Sequence, residues 1–114
     1  MITIEYCEDG EPISDFNYED WITRIKNYFL YAKEQDWYLK ASTDIAIQAL
    51  RLEIAKGNIN CEDITFAFKD EKFKANKYGV FNKVPDGFCK AHFDLIWQII
   101  RVGIDKHKED KNGK

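Results

Sequence analysis

Ile64-Thr65-Phe66-Ala67-Phe68 places large apolar residues at every second position and fills the gaps with smaller ones, the period-two pattern of a strand with one face in a core. The segment before it has the other periodicity. Thr43 to Lys56 reads as a helix opened by a Ser42 cap and closed by Gly57, where a left-handed helix terminus favours glycine. Asp44, Gln48, Arg51 and, at its end, Lys56 form a narrow polar stripe. Ile45, Ala46, Ile47, Ala49, Leu50, Leu52, Ile54 and Ala55 fill the remainder, so this helix needs cover on most sides.

Farther upstream, Asn17 with Asp20 three residues on resembles a capping box that opens a helix over Tyr18 to Glu34, with Ile22, Ile25, Phe29 and Ala32 as its buried stripe. Between the two helices, Gln35 to Ala41 fits either a linker or a helix starting at Trp37 under an Asp36 cap. Ile2-Thr3-Ile4-Glu5-Tyr6 alternates as a first strand, broken by Asp9-Gly10 and Pro12.

Downstream, Phe73-Lys74-Ala75 and Tyr78-Gly79-Val80-Phe81 read as short strands about an Asn76-Lys77 turn, and Pro85-Asp86-Gly87 as a further turn. Phe88 to Lys106 reads as a last helix with Lys90, Asp94, Gln98, Arg101 and Asp105 on one face. Its other side, with Phe93, Leu95, Ile96, Trp97, Ile99, Ile100, Val102 and Ile104, is too wide for a simple surface helix. It is either the central core helix or a dimer face with Trp97, Ile100 and Ile104 as anchors. Together these elements predict an α+β fold, a small mainly antiparallel sheet packed against about three helices. A parallel pairing of the first strand with later ones stays open, because two helices intervene. Residues 1–106 form a single domain in this reading, and residues 107–114 a flexible polar tail.

The 114 residues are 45% hydrophobic and 32% charged, a globular balance. Cys7, Cys61 and Cys89 are odd in number and widely spaced, which argues for reduced thiols. No apolar run approaches a membrane span and the first residues lack signal-peptide character, so the expected location is cytoplasmic. The excess of Lys, Ile, Asn, Tyr and Phe over Arg, Ala, Gly and Pro is the bias of AT-rich coding DNA and points to a bacterium or one of its mobile elements. Charge divides along the chain: residues 1–20 carry a formal −7 and residues 69–90 a formal +3, within a net of −3.

Several constellations bear on chemistry. Cys89-Lys90-Ala91-His92 has a Cys-x-x-His spacing that Cys61 or Cys7 would have to complete as a zinc site, but a second close ligand pair is missing. As a nucleophile and base, Cys89 and His92 share one helical face and lack a third orienting group. Glu62-Asp63 and Glu8-Asp9 offer carboxylates for magnesium, and acidic residues beside turns are more often simply solvated. Phosphate-loop, nucleophile-elbow and zinc-helix motifs are all missing. No catalytic residue, metal or cofactor is therefore assigned. Lys-rich residues 69–90 interleave Phe73, Tyr78, Phe81 and Phe88 as a base-stacking sheet would, although an acidic pI near 5.4 works against nucleic acid as a partner.

The segment from Phe73 to Phe88, FKANKYGVFNKVPDGF, resembles the strand, turn and Pro-acidic-Gly-Phe element near the C-terminus of certain bacterial AAA-family ATPases. The chain departs from them in having no Walker motif, and Val84 and Cys89 stand where an aromatic is common. No catalytic residue carries over, and the resemblance implies an element associated with such machines. The expectation that gathers these readings is a small non-catalytic protein that binds another protein: an accessory factor, an immunity protein or a mobile-element inhibitor. Glu8, Asp9, Glu11, Trp21, Tyr31, Trp37 and Tyr38 are its candidate partner-binding residues. The alternatives are a nucleic-acid binder using residues 69–90 and a small ligand-binding domain or enzyme.

Overall fold

The computed structural model describes residues 1–112, without the side chains of His92, Phe93, Ile96, Lys111 and Asn112. Its elements in chain order are β1 (Ile2–Glu11), α1 (Tyr18–Tyr31), β2 (Trp37–Ala41), α2 (Asp44–Ala55), a 3₁₀ turn (Cys61–Asp63), β3 (Ile64–Phe68), β4 (Glu71–Phe73) and α3 (Lys90–Asn112). The four strands form one sheet in the order β2-β1-β3-β4. The α+β class holds, but the sheet is mixed: β1 runs parallel to both β2 and β3, and only β3 and β4 pair antiparallel. The parallel pairings follow from the long helical connections, each of which returns the chain to the starting end of the sheet.

Ile2 and Ile4 of β1, Ile64 and Phe66 of β3, and Ala41 of β2 form the buried face of the sheet. Against it pack Trp21, Ile22, Ile25 and Tyr28 of α1 and Ala46, Ile47, Leu50 and Ile54 of α2. The buried face of α1 is thus turned from the expected stripe, with Phe29 and Ala32 only partly buried. Its expected capping box is not formed. Asn17 Oδ1 instead accepts from the Ser14 N–H at 2.7 Å, fixing the preceding turn. Thr43 rather than Ser42 occupies the N-cap position of α2, and its hydroxyl donates to the Ile13 carbonyl. Gly57 closes α2 at φ +81°, as read from the sequence.

Two departures reshape the sheet. Trp37 to Ala41 is neither linker nor helix but strand β2, whose Trp37, Leu39 and Ala41 face inward while Tyr38 and Lys40 face out. β1 does not stop at Asp9-Gly10. Tyr6 and Glu11 both lie opposite Ala41, so the intervening residues bulge over the end of β2. Glycine is required there, because a Cβ at Gly10 would sit 2.6 Å from Ala41 backbone atoms.

α2 also buries a charge. Glu53 is 7% exposed, and its carboxylate is ion-paired to Lys26 of α1, lies 3.9 Å from Lys56 Nζ and accepts from Asn58 Nδ2 at 3.4 Å. The Lys26 contact holds the Glu53 pKa below the usual carboxylate range against the opposing effect of burial. A lowered folded pKa contributes stability above the unfolded value, and that stability is lost as pH falls through the folded value. Lys26→Met is accordingly expected to cost about 2 kcal/mol at neutral pH, less than for a fully buried pair because the ammonium is partly solvated. The difference from wild type should shrink on acidification. Urea denaturation at neutral pH and at about pH 3 checks both effects, and a pH-independent cost would rule out Glu53 as their source.

α3 leaves the body after Cys89, which adopts a left-handed φ of +50°. Every described side chain from Lys90 to Asp110 is exposed, and the molecule measures 65 × 26 × 26 Å. α3 is therefore not the central core helix, and α2 does not cover it. It also runs through residues 107–112, expected to be tail, because residues such as Lys106, Lys108 and Glu109 propagate a helix well. Among the described residues, no helix is long and apolar enough to cross a membrane.

Candidate protein interface

Among the described residues, no helix packs over the side of the sheet away from α1 and α2, where Ala67 alone is buried. Strand alternation sends Thr3, Glu5 and Cys7 of β1, Tyr38 and Lys40 of β2, and Thr65 and Ala67 of β3 to that side. Its polar groups are joined in pairs. The Tyr38 hydroxyl donates to Glu5 Oε1, and Lys40 Nζ lies 3.5 Å from Asp9 Oδ2. Farther along the bulge, Arg24 Nη2 donates to Glu11 Oε2 at 2.6 Å.

This face is chemically quiet. Its bond to Glu5 pushes the Tyr38 phenol up to about 12. Burial, aided by a bond to Asp9, pushes the Cys7 thiol up to about 11, and the same bond with Lys40 lowers the Asp9 carboxyl. At neutral pH Cys7 and Tyr38 on this face thus keep their protons as a thiol and a phenol.

Among the described residues, the candidate metal ligands do not converge. Cys89 is buried, and burial first, then the Asp44 carboxylate, pushes its thiol up to about 12. Cys89 lies by Tyr6 on the core side, whereas Cys7, next to Tyr6 in the strand, faces the opposite way. The His92 side chain lies outside the described residues. Glu62-Asp63 precede β3 and Glu8-Asp9 end β1, so the parallel pairing puts the two carboxylate pairs at opposite ends of the sheet. Among the described residues, no three His, Cys, Asp or Glu side chains converge on a metal position.

Residues 69–90 spend their aromatics on each other. Phe73 and Phe88 rings stand 4.8 Å apart, Phe73 and Phe81 5.1 Å, Phe81 and Phe88 5.6 Å, and the cluster joins Phe66, Phe68 and Tyr6. None of these three Phe rings is free to stack on a base; Tyr78 alone of the interleaved aromatics stands exposed. Lys74 is engaged as well, donating to the Glu62 carbonyl at 2.8 Å and the Ile64 carbonyl at 3.3 Å.

The candidate partner-binding residues divide. Glu8, Asp9 and Glu11 are exposed on the β1 bulge, Tyr31 is 84% exposed at the end of α1, and Tyr38 is 56% exposed on β2. Trp37 is half-buried with its ring 4.7 Å from Tyr28, and one edge lines a groove with Tyr31. Trp21 is the exception: at 3% exposure it belongs to the core, because α1 turns that face to the sheet. Sequence reasoning missed Glu5, Cys7 and Lys40, which reach this face only through the β1–β2 pairing. It also passed over Phe16, 97% exposed on a turn fixed by the Ser14 hydroxyl.

The expected dimer anchors all lie on the uncovered part of α3: Trp97 is 61%, Ile100 47% and Ile104 50% exposed. Leu95, Ile99 and Val102 are exposed to at least the same degree as Ile100. Comparison of the chain with protein-family models, with curated proteins and with solved structures finds no match.

Proposed function

We propose that this chain is a non-catalytic protein-binding module of the bacterial or phage cytoplasm, an accessory factor, immunity protein or inhibitor, and that it works as a homodimer. The observation that carries the reading is α3, whose apolar residues project from the body with nothing over them among the described residues. The six exposed residues from Leu95 to Ile104 present roughly 700 Å² of side chain spread around about 220° of the helix, where a monomer commonly leaves a few hundred Å² in one patch. Trp97, Ile100 and Ile104 share one flank of the helix and Leu95, Ile99 and Val102 the other, so a single partner helix meets one flank at a time. The acidic, aromatic face of the sheet supplies a second surface, and its protonated thiol and phenol suit binding rather than catalysis. The likeness of residues 73–88 to an ATPase-associated element is in keeping with an accessory role.

Affinity capture from the native host with the full chain, followed by titration of the purified components, tests the reading. A single protein retained in stoichiometric amount is expected. The double variant Tyr31→Ala with Tyr38→Ala is expected to lose about thirtyfold in affinity, the scale of one interface hot spot. Failure of the folded chain to retain any such protein overturns it.

A further inference from the structure

The geometry points to the outer edge of β2 as a docking site for an extended strand of the partner, one that alternates apolar residues with Lys or Arg. The inference rests on the protein-binding reading and names the kind of segment this face takes. The Trp37 N–H donates to the Met1 carbonyl at 3.1 Å, with Trp37 in register with Ile2. In a parallel ladder, successive residues turn their backbone groups to opposite sides. Trp37, Leu39 and Ala41 therefore bond to β1, and Tyr38 and Lys40 present N–H and C=O to the free edge. Among the described residues, no strand or side chain takes up these groups. Past them the edge is closed, because the Glu11 carbonyl accepts from Ser42 N–H at 3.0 Å.

The edge is short but open. β2 contains no proline, and the charge of Lys40, which would deter another strand, is paired with Asp9. A strand added here turns alternate side chains to the two faces of the sheet. On the helix side they meet a groove of about 400 Å³ in which Tyr28, Tyr31, Ala32 and Trp37 suit apolar residues, while Asp20, Thr23, Arg24 and Asn27 of α1 form its polar lining. On the open side they lie beside Tyr38 and Lys40, with Glu5 and Asp9 of the adjoining strand in excess over Lys40, which suits a cation. A second copy pairing through β2 would bring two such acidic faces together, and this repulsion selects a basic partner strand over self-pairing.

The probe is a blocked eight-residue peptide alternating Val and Lys, added to the full chain while amide hydrogen exchange is followed residue by residue. Exchange at Tyr38 and Lys40 is expected to slow about tenfold, with Trp37 and Leu39 unchanged because they are already bonded to β1. A Val–Glu peptide of the same length is expected to bind about tenfold more weakly. Lys40→Pro removes an outward N–H without touching the bonds to β1 and should abolish binding, while Lys40→Ala should retain it. If Lys40→Pro does not fold, a Val–Lys peptide N-methylated at alternate residues makes the same test from the other side. Unchanged exchange at Tyr38 and Lys40 in millimolar peptide overturns the proposal, as does protection of those amides that grows with protein concentration alone. Capture of the host partner by folded Lys40→Pro as strongly as by wild type also overturns it, while leaving the protein-binding reading in place.

Discussion

Ile100→Glu is expected to turn a dimer into a monomer without unfolding the body. At 100° per residue, Lys90, Asp94, Gln98, Arg101 and Asp105 occupy about 80° of the α3 circumference. Leu95, Trp97, Ile99, Ile100, Val102 and Ile104 spread over most of the rest, each close to half exposed or more. A stripe of about 100° is what one neighbouring layer covers, so this helix is apolar well beyond the needs of a surface helix. A Cβ added at Gly103 would meet nothing within 4 Å, leaving room for a second helix to approach closely. The Phe93 and Ile96 side chains, read from the sequence as part of the same face, lie outside the described residues. A closed two-fold pairing with the same helix of a second copy is the simplest cover for the flank that holds Trp97, Ile100 and Ile104. Sedimentation equilibrium of the wild type at tens of micromolar should give the dimer mass, and Ile100→Glu the monomer mass with an unchanged circular dichroism spectrum. The variant places a carboxylate in the desolvated centre of the interface, where burial of an unpaired charge costs several kcal/mol. A wild-type monomer at that concentration would end the dimer proposal.

Gly79→Ala should be among the most destabilising single-methyl additions in the chain, at about 3 kcal/mol. Residues 75–81 form a tight loop rather than two strands about a turn, with one isolated bridge between Ala75 and Phe81. Asn76 holds it together: its Oδ1 accepts from Tyr78 N–H at 2.9 Å and Val80 N–H at 3.1 Å, and its own N–H donates to the Val80 carbonyl at 2.8 Å. Gly79 sits at φ +74°, its carbonyl accepts from Arg51 Nε at 2.6 Å, and the Arg51 guanidinium lies 5.0 Å from the Phe81 ring centre. A Cβ at Gly79 would overlap the Arg51 carbonyl oxygen on α2. The cost therefore combines left-handed backbone strain of about 1 kcal/mol with overpacking of about 2 kcal/mol. Gly57→Ala is the control, because Gly57 has a similar φ of +81° with nothing within 4 Å of the added carbon. It should lose only the strain component, about 1 kcal/mol. Equal losses in urea denaturation would show that the loop yields and that its seat on α2 is not rigid.

Some of this was legible along the chain because its cause is local. The alternation of Ile2 to Tyr6 and of Ile64 to Phe68 marks strands in the backbone's own period, and Gly57 marks a left-handed helix end where a side chain would strain it. The helical period of residues 43–56 and 88–106, and the excess width of the last apolar face, are likewise properties of neighbours three and four residues apart. Trp37 to Ala41 was ambiguous because five residues with two aromatics fit several conformations. What settles them is the ladder to β1, more than thirty residues away in the chain. The strand read as broken at Asp9-Gly10 continues because that glycine lets the backbone pass over Ala41, a contact no local pattern announces.

Order along the chain accounts for the inventory: an α+β class, an acidic first twenty residues, a Lys-rich and Phe-rich later segment, and a last helix with too much apolar surface. How these parts are spent depends on their packing in three dimensions. Packing turned Trp21 inward and left Tyr31 and Tyr38 outside, closed Phe73, Phe81 and Phe88 into a cluster, and assembled Glu5, Cys7, Asp9, Tyr38 and Lys40 on one open face. It also left α3 uncovered rather than central. Periodicity fixes which residues share a face of one element, whereas which face is buried depends on the neighbouring elements, and those are brought together by parallel pairings across long stretches of chain.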